Sequence, residues 1–265
     1  MRSKQQLKVA VHGAAGRVGC EVLRAVAAAD DMTLVAAIDR LEPAQVKDLP
    51  GEAPYYTDAR AAFEHARPDV VVDFSLAAAS VPMCALAIGA GASPVIGTTG
   101  ISAEQVAYLD GLCREHRVGG LLAPNFTIGA VLLAKLAALA APYFEYVEIA
   151  EEHHQHKVDS PSGTALGIAE AIHQAHPERF AHNDPEREPL DGARGADFHG
   201  IAIHATRMPG RLAHHLVTFG DAGQTLSLRH DTIDRECYMP GVLLAARKVR
   251  TLKGLAVGLD KVMDL

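Results

Sequence analysis

The chain has 265 residues, 49% of them hydrophobic and 22% charged, a balance that is ordinary for a folded protein and a length that allows one large core or two modest ones. Its formal net charge of −7 argues against nucleic acid as the main partner, and its 4 cysteines, which form no C-x-x-C pair, argue against a disulfide framework or a thiolate metal site. Because no segment approaches the roughly 18 apolar residues of a membrane span and the chain begins without a signal-peptide pattern, we predict a cytoplasmic protein with no membrane partner.

The first half of the chain alternates short apolar segments with longer alanine-rich ones. This alternation is typical of parallel strands joined by helices that cover both faces of the sheet. The predicted strands span 7–11, 32–38, 69–74, 94–97 and 119–123, and the predicted helices span 17–28, 59–66, 78–90 and 102–116. We therefore predict a doubly wound α/β domain in this half.

The pattern changes after Pro124, where a second fold is predicted. Its predicted helices span 128–140 and about 161–175, and its predicted strands span 145–150, 200–206, 212–219 and 225–230, the last three forming an antiparallel sheet. The stretch 176–195 is rich in Pro, Asp and Glu, which favours a long surface loop. A last helix is predicted over 239–249, and its periodicity does not say which domain it joins.

A glycine-rich turn lies between the first predicted strand and the first predicted helix, with glycines at positions 13, 16 and 19. Backbone N–H groups at such a helix start can bind a diphosphate, and the missing side chains let it come close. The spacing G-x-x-G-x-x-G differs from the usual G-x-G-x-x-G, so the motif alone does not identify a dinucleotide site. Its place between a strand and a helix favours a dinucleotide site.

The second predicted strand ends in Asp39 and Arg40. A carboxylate at this point can accept hydrogen bonds from an adenosine ribose, which favours NADH. Arg40, or Arg17 in the glycine loop, can instead pair with the 2′-phosphate of NADPH. A solvated charge at a strand end is the alternative for both Asp39 and Arg40. The pair predicts NADH, NADPH or both as cofactor.

Two further strand ends, at 73–75 and 97–100, fall where the carboxyl ends of parallel strands meet a ligand. We expect their backbones to line the nicotinamide ring. Helix capping by Ser75 or Thr99 is the alternative, and spacing does not decide between the two.

The start of the helix at about 161–175 has the pattern of an anion site. Pro161 suits the first helical turn, and Ser160 or Ser162 suits the N-cap. The free N–H groups near Gly163 and Thr164 would then form a seat for a carboxylate. This pattern predicts an anionic substrate.

Lys157 and a group of histidines come directly before that helix. Lys157 adds positive charge beside the seat, and the histidines can give or take protons near neutral pH. A metal site at His153, His154 and His156 is not predicted, because their spacing matches no known zinc pattern. A solvated His-rich loop is the plain alternative, but it would not explain the helix start.

The segment 153–165, HHQHKVDSPSGTA, resembles the signature H-H-x-x-K-x-D-x-P-S-G-T-A of the 4-hydroxy-tetrahydrodipicolinate reductase (dihydrodipicolinate reductase) family. The resemblance extends to the glycine loop and to 72–75, 96–100 and 123–126. The chain departs from the family at Ser75, where Thr is more usual, at Glu152, where many members have a small residue, and over 207–215, where a Gly-Glu-His pattern is common.

The resemblance implies a Rossmann-type domain over 1–124, completed by the C-terminal segment 235–265. It implies an α+β domain with a mixed, largely antiparallel sheet over 125–234, which binds the substrate and builds a homotetramer. The implied reaction is reduction of a small cyclic dicarboxylate, 4-hydroxy-tetrahydrodipicolinate, by NADH or NADPH in diaminopimelate and lysine biosynthesis. The alternatives are a reductase of another small dicarboxylate and a catalytically silent dinucleotide sensor, and retention of both His153 and Lys157 argues against the sensor.

The resemblance also implies roles for single residues. His153 and Lys157 would transfer protons, and His154, Gly163 and Thr164 would bind substrate. The implied cofactor-binding residues are Gly13, Ala14, Ala15, Gly16, Arg17, Val18, Asp39, Arg40, Gly97, Thr98, Thr99, Ala123, Pro124, Asn125 and Phe126. His214 and His215 either take over the role of the family's histidine in the divergent segment or only decorate a strand, and we favour the second interpretation.

Overall fold

The computed structural model describes residues 6–46, 49–182 and 185–265. The chain forms two compact units: unit 1 comprises Met1–Thr127 and Arg235–Leu265, and unit 2 comprises Ile128–Asp234. The boundary predicted after residue 124 lies slightly before this division. Residues 1–5, at the start where no signal peptide is predicted, and 183–184 of the predicted loop 176–195 lie outside the described residues. Within the described ranges, no helix has the length and apolar character needed to cross a membrane.

The strands and helices lie at the following positions along the chain. The strands are β1 (Leu7–His12), β2 (Met32–Ile38), β3 (Tyr55–Tyr56), β4 (Val70–Asp73), β5 (Ser93–Ile96), β6 (Gly119–Leu122), β7 (Tyr146–His153), β8 (Ala196–Phe198), β9 (Ile201–Arg207), β10 (Ala213–Asp221), β11 (Gln224–Thr232) and β12 (Gly254–Val257). The helices are α1 (Arg17–Ala27), α2 (Ala59–Ala66), α3 (Ala77–Gly89), α4 (Ala103–His116), α5 (Ile128–Ala140), α6 (Gly163–Ala175) and α7 (Met239–Lys248).

Unit 1 is a parallel sheet in the order β12-β6-β5-β4-β1-β2-β3. The central strands β4 and β5 are buried along their whole length, because they are apolar on both faces and helices cover the sheet. The predicted doubly wound fold is confirmed. The edge strands β3 and β12 are not among the predicted strands; β12 pairs in parallel with β6.

Unit 2 is a five-stranded sheet in the order β11-β10-β7-β9-β8. β9 runs parallel to β7, whereas the other neighbouring strands are antiparallel. The prediction of a mixed, largely antiparallel sheet is therefore confirmed. The three strands predicted over 200–230 do not form a sheet of their own, because β7 lies between β9 and β10. One face of this sheet is apolar and packs with α5 and α6 in a single core, which includes Ile149, Val217, Leu133 and Ile168.

Candidate active site

The glycine loop between β1 and α1 leaves no room for side chains at two of its glycines. Gly13 has a φ of +76°, and a Cβ added there would lie 2.3 Å from the carbonyl oxygen of Phe74. A Cβ on Gly19 would lie 2.0 Å from the carbonyl oxygen of Gly13. The loop therefore approaches the neighbouring strand end and the first turn of α1 at distances that only glycine permits.

Asp39 stands directly after β2 and reaches the glycine loop. Its Oδ2 accepts a hydrogen bond from the Ala15 N–H at 2.9 Å, and its Oδ1 accepts one from the Leu41 N–H at 3.3 Å. Arg40, next along the chain, is exposed. The carboxylate is thus fixed at the rim of the loop, in the place where a dinucleotide fold recognises the adenosine ribose.

A cleft of about 310 Å³ runs along this edge of unit 1. It is lined by His12, Gly13, Ala15, Gly16, Asp39, Arg40, Leu41, Phe74, Ser75, Leu76 and Ala79. Five of the predicted cofactor residues, Gly13, Ala15, Gly16, Asp39 and Arg40, therefore lie together. The backbone N–H groups of the glycine loop, the close approach that its glycines allow and the Asp39 carboxylate fit a dinucleotide at this edge.

The remaining predicted cofactor residues lie around this edge without lining the cleft. Ala14 is buried below the loop, and Arg17 and Val18 begin α1. Gly97 follows β5, and a Cβ there would lie 2.1 Å from the Phe74 ring. That ring also packs on Phe126, with 5.5 Å between ring centroids.

The other predicted residues of this group differ in exposure. Thr98 and Ala123 are buried, whereas Thr99 and Pro124 are exposed. The Asn125 side chain accepts a hydrogen bond from the Thr127 N–H at 2.8 Å, which shapes the turn after β6. The ring of Phe74, residue Gly97 and the ring of Phe126 thus form one packed group at the strand ends of unit 1.

Asp73, the last residue of β4, is a fully buried carboxylate beneath this edge. Its Oδ1 contacts His12 Nδ1 at 2.5 Å and accepts from the Ser75 hydroxyl at 2.7 Å. Its Oδ2 accepts from the Thr98 hydroxyl at 2.7 Å and from the Ser80 hydroxyl. Burial by itself raises the pKa of Asp73, but the hydrogen bonds from His12 and the hydroxyls hold that pKa below its usual value. One carboxylate therefore joins the ends of three neighbouring strands, β1, β4 and β5.

In unit 2, the end of β7 places two titratable side chains on the buried face of the sheet. The strand alternates so that Val147, Ile149, Glu151 and His153 share that face. The predicted strand ends at 150, whereas β7 continues to His153, because the polar residues 151 and 153 keep the alternation. Glu151 is 0% exposed and His153 is 7% exposed.

Each of the two oxygens of the Glu151 carboxylate has two hydrogen-bonding partners. Its Oε1 accepts from the Ser162 N–H at 2.9 Å and from Arg207 Nη2 at 2.8 Å. Its Oε2 accepts from Arg207 Nη1 at 2.8 Å and contacts His153 Nδ1 at 2.6 Å. The guanidinium and carboxylate thus form a two-point ion pair beneath His153.

These contacts shift the pKa values of both titratable groups. Burial raises the pKa of Glu151, but the hydrogen bonds from Arg207, His153 and the Ser162 amide outweigh burial and leave that pKa below its usual value. Burial lowers the pKa of His153, the Glu151 carboxylate raises it, and the charges of Lys157 and Arg207 lower it, so that it ends below its usual value. The site therefore pairs an ionised carboxylate with a histidine that is neutral near neutral pH.

The start of α6 lies in the same part of unit 2. Ser162 is the N-cap, with its hydroxyl accepting from the Ala165 N–H at 3.1 Å, so Ser162 and not Ser160 fills that role. The expectation that Pro161 lies in the first helical turn is wrong, because the helix begins at Gly163 and Pro161 precedes the cap. Gly163 is exposed and Thr164 is half-buried, and the Gly163 amide donates a hydrogen bond to the Asp159 carboxylate at the helix start.

Lys157 and His154 lie in the turn between β7 and α6. Lys157 Nζ donates to Asp159 Oδ1 at 2.7 Å, and the Asp159 carbonyl accepts from Arg207 Nη2 at 2.7 Å. His154 is half-buried, and its ring lies 6.3 Å from that of His156. Unit 2 therefore brings the predicted catalytic and substrate-binding residues to one region, with a cation beside the helix start.

His214 and His215 are built into β10 and do more than decorate it. His215 is 3% exposed; its Nε2 lies 3.3 Å from the Ser162 hydroxyl and its ring meets that of His153 at 5.4 Å. His214 Nδ1 pairs with Asp231 at 2.6 Å. Burial, together with His153, lowers the pKa of His215 to about 4. The interpretation of His215 as a decorating residue is wrong, because it packs against two residues of the site.

Glu151 and Arg207 are the site residues that sequence reasoning missed, and His215 is one whose possible role was considered and not favoured. A signal existed for Glu151, which stands two residues before His153 and therefore on the same strand face. Arg207 is 56 positions from its partner, so no local spacing pointed to the pair.

Comparisons with known proteins agree along the whole chain. The family model described as "Dihydrodipicolinate reductase, N-terminus" matches residues 7–126, and the one described as "Dihydrodipicolinate reductase, C-terminus" matches residues 129–263. The 4-hydroxy-tetrahydrodipicolinate reductase of Moorella thermoacetica is 45% identical over 263 residues, which are 97% of this chain and 98% of the relative. That of Geobacillus kaustophilus is 42% identical over 263 residues, 97% of this chain and 99% of the relative.

Solved structures give the same picture. The dipicolinate-bound dihydrodipicolinate reductase from Paenisporosarcina sp. TG-14 matches with a TM-score of 0.90 and 36% identity, over 98% of this chain and 100% of that one. An amine dehydrogenase from Mycobacterium smegmatis matches with a TM-score of 0.65 and 13% identity, over 99% of this chain and 97% of that one, and shares the fold alone.

Proposed function

Because the chain belongs to the dihydrodipicolinate reductase family, we propose that its unit 2 holds a cyclic dicarboxylate for reduction by a nicotinamide dinucleotide bound in unit 1. The chain is an NAD(P)H-dependent oxidoreductase that reduces 4-hydroxy-tetrahydrodipicolinate to tetrahydrodipicolinate, a step of diaminopimelate and lysine biosynthesis. The observation that carries the residue assignment is the grouping of His153, Lys157 and the exposed start of α6, where the Asp159 carboxylate already accepts from the Gly163 amide.

The proposed substrate seat is the N-terminus of α6. One carboxylate of the substrate would replace the Asp159 carboxylate at the helix start and accept hydrogen bonds from the backbone N–H groups of Gly163 and Thr164, where the helix dipole favours an anion. Lys157 would supply the balancing positive charge, and His154 would contact the same ligand. The related enzyme from Paenisporosarcina binds dipicolinate, a cyclic dicarboxylate, which is the chemistry that this seat suits.

The proton-transfer proposal assigns His153 and Lys157. When bound, the reduced nicotinamide supplies a hydride to the conjugated ring of the substrate, and the ring then takes a proton at the adjacent carbon as water is lost. Lys157 is the proposed proton donor. His153 is neutral near neutral pH and is the proposed group that accepts or returns a proton, since imidazole does both.

The cofactor proposal rests on the strand end after β2. The chain uses a nicotinamide dinucleotide, and we propose that it accepts both NADH and NADPH. The Asp39 carboxylate would accept from the ribose hydroxyls of NADH, while the exposed Arg40 guanidinium would pair with the 2′-phosphate of NADPH. The cofactor-binding roles of the strand-end residues of unit 1 given above belong to the same proposal.

We further propose that 125–234 is the substrate-binding and oligomerisation domain and that the enzyme is a homotetramer. Helices α5 and α6 share a core with one face of the unit 2 sheet, and the opposite face bears Ala150, Leu216 and Tyr146. A second copy could cover that face. Sedimentation velocity tests the proposal, and a monomeric mass at micromolar concentration would contradict it.

The decisive experiment for the function follows oxidation of NADH and of NADPH with freshly generated 4-hydroxy-tetrahydrodipicolinate. We expect turnover with both cofactors and competitive inhibition by dipicolinate against the substrate. No oxidation with either cofactor, together with measured dinucleotide binding, would favour another substrate or a silent sensor. Turnover without competition by dipicolinate would contradict the proposed carboxylate seat.

A further inference from the structure

We propose that Glu151 is a positioning residue for the reaction: its carboxylate, held by Arg207, sets the orientation and tautomer of His153 and fixes the start of α6 at the same time. This inference rests on the proposed function, because it takes His153 as a proton-transfer group and α6 as the carboxylate seat. Glu151 acts through these neighbours and is not itself a group that touches the substrate.

The Glu151 carboxylate sets the tautomer of His153. A carboxylate that is ionised can only accept hydrogen bonds, so the proton between His153 Nδ1 and Glu151 Oε2, which lie 2.6 Å apart, belongs to the histidine. In the neutral ring Nε2 is then the atom without a proton. Glu151 therefore decides which nitrogen of His153 gives or takes the proton in the reaction.

The Glu151 carboxylate also holds the start of α6. The other oxygen of the same carboxylate accepts from the Ser162 N–H at 2.9 Å, and Ser162 is the N-cap of the helix. A single side chain thus sets both the proton-transfer group and the backbone that would hold the substrate carboxylate. A shift of Glu151 would move these two parts of the site together.

Arg207 extends the connection to Lys157. Its guanidinium makes two hydrogen bonds to Glu151, each 2.8 Å long, and a third to the Asp159 carbonyl at 2.7 Å. Asp159 in turn holds Lys157 Nζ at 2.7 Å. Both proposed proton-transfer groups are therefore anchored, through short contacts, to one buried ion pair.

The strand itself does not need this ion pair. β7 is hydrogen-bonded on both sides, to β9 and to β10, and the residues on the same face before Glu151 are the apolar Val147 and Ile149. Burying a carboxylate and a guanidinium costs desolvation energy that apolar residues would not incur. A charged residue at this point is explained by what it holds in place.

The test replaces Glu151 by glutamine, which keeps the size and removes the charge. We expect kcat to fall about 10²-fold, because His153 and the helix start lose their common anchor, with NADH binding unchanged. The pH profile of kcat/KM should also shift: the groups that face His153 are Glu151, Lys157, Arg207 and His215, and of these Glu151 raises its pKa. The apparent pKa of the profile should therefore move to lower pH.

Glu170→Gln is the control. Glu170 is an exposed carboxylate on α6 of the same unit, and its Oε1 accepts a hydrogen bond from Gln174 at 2.9 Å. This variant should leave both kcat and the pH profile unchanged. A fall in kcat for Glu151→Gln without any movement of the pH profile would mean a merely structural role and would overturn the proposal, as would an unchanged kcat.

A measurement on the unaltered enzyme keeps the proposal testable if Glu151→Gln does not fold. Nitrogen NMR of the enzyme with labelled histidines, with His153 assigned from the signal lost in His153→Gln, should show a neutral ring protonated at Nδ1. A ring protonated at Nε2 would overturn the proposal. Failure of the proposed function is distinguishable, because the unaltered enzyme would then not oxidise reduced nicotinamide with the substrate, whatever the tautomer.

Discussion

Each unit buries one carboxylate beneath its candidate site, and the two carboxylates are compensated differently. Asp73 in unit 1 is surrounded by three hydroxyl donors and one histidine. Glu151 in unit 2 is paired with the permanent charge of Arg207. The hydrogen bonds of Asp73 connect the ends of β1, β4 and β5 and so hold in place the strand ends that line the cleft. The Glu151 network holds a group proposed to transfer protons, and a permanent cation keeps the anchor ionised while that group titrates.

The largest expected effect separates chemistry from cofactor binding. Lys157→Ala should lower kcat by about 10²- to 10⁴-fold, because it removes a proposed proton donor. The Kd for NADH, measured by fluorescence titration, should stay the same, since Lys157 belongs to unit 2. Lys135→Ala, an exposed lysine on α5, is the control and should change neither quantity. If Lys157→Ala weakened NADH binding as much as it lowered kcat, the assignment of cofactor binding to unit 1 and proton transfer to unit 2 would be contradicted.

The next effect tests Asp73 as a structural anchor. Asp73→Asn should lower the free energy of unfolding by about 3 kcal/mol, because an amide replaces one acceptor oxygen by a donor among buried hydroxyls. Denaturant unfolding followed by circular dichroism measures the change. Asp58→Asn is the control, because Asp58 caps α2 and asparagine caps a helix equally well. A loss below about 1 kcal/mol for Asp73→Asn would show that the network adjusts to an amide.

The sequence was informative where a pattern is local and long. The alternation of the first half predicted the parallel sheet, and the segment 153–165 predicted His153, Lys157 and the helix start as one group. The sequence was uninformative where a strand is very short or pairs with a strand that is distant along the chain. The two-residue strand β3 has too little pattern to recognise, and β12 is identified only by its pairing with β6 more than a hundred residues earlier.

The same reason explains what was missed in the site. Glu151 and Arg207 come from neighbouring strands, and only the parallel register of β7 with β9, which was not expected, brings them together. For His215 a role in the site was considered but a decorating role was favoured, since a histidine in an alternating segment gives no sign of what faces it. Its contacts come from Ser162 and His153, which are distant in sequence.

His215, a buried histidine of unit 2, should make stability depend on pH. The pKa of His215 is about 4 in the fold, because burial and the neighbouring His153 disfavour its charged form. As the pH falls below about 6.5, the unfolded chain binds a proton that the folded chain does not, so stability is lost progressively down to about pH 4. Between pH 7 and 5 this histidine should account for about 2 kcal/mol of that loss.

His215→Gln checks this contribution. Its free energy of unfolding should depend less on pH between 7 and 5 than that of the unaltered enzyme, whatever its absolute stability. His116→Gln, at the exposed end of α4, should keep the full dependence. If both variants keep it, another group is responsible for the loss.

The smallest expected effect concerns Arg40, the exposed arginine of the unit 1 cleft, which contrasts with the partly buried Arg207 of unit 2. Arg40→Ala should weaken NADPH binding about tenfold and leave NADH binding unchanged, because the 2′-phosphate would lose a charge-assisted partner. Arg114→Ala, an arginine of α4 paired with Asp110, serves as the control. Equal weakening of NADH and NADPH would exclude the phosphate role.

Salt distinguishes the two arginines further. Arg40 is exposed, so its interaction with a phosphate is screened, and the preference that it gives NADPH over NADH should shrink as the ionic strength rises. The Glu151 carboxylate that holds Arg207 is 0% exposed, so the activity difference between Glu151→Gln and the unaltered enzyme should change little with salt. A preference for NADPH that persists in high salt would mean that shape, and not the Arg40 charge, selects the cofactor.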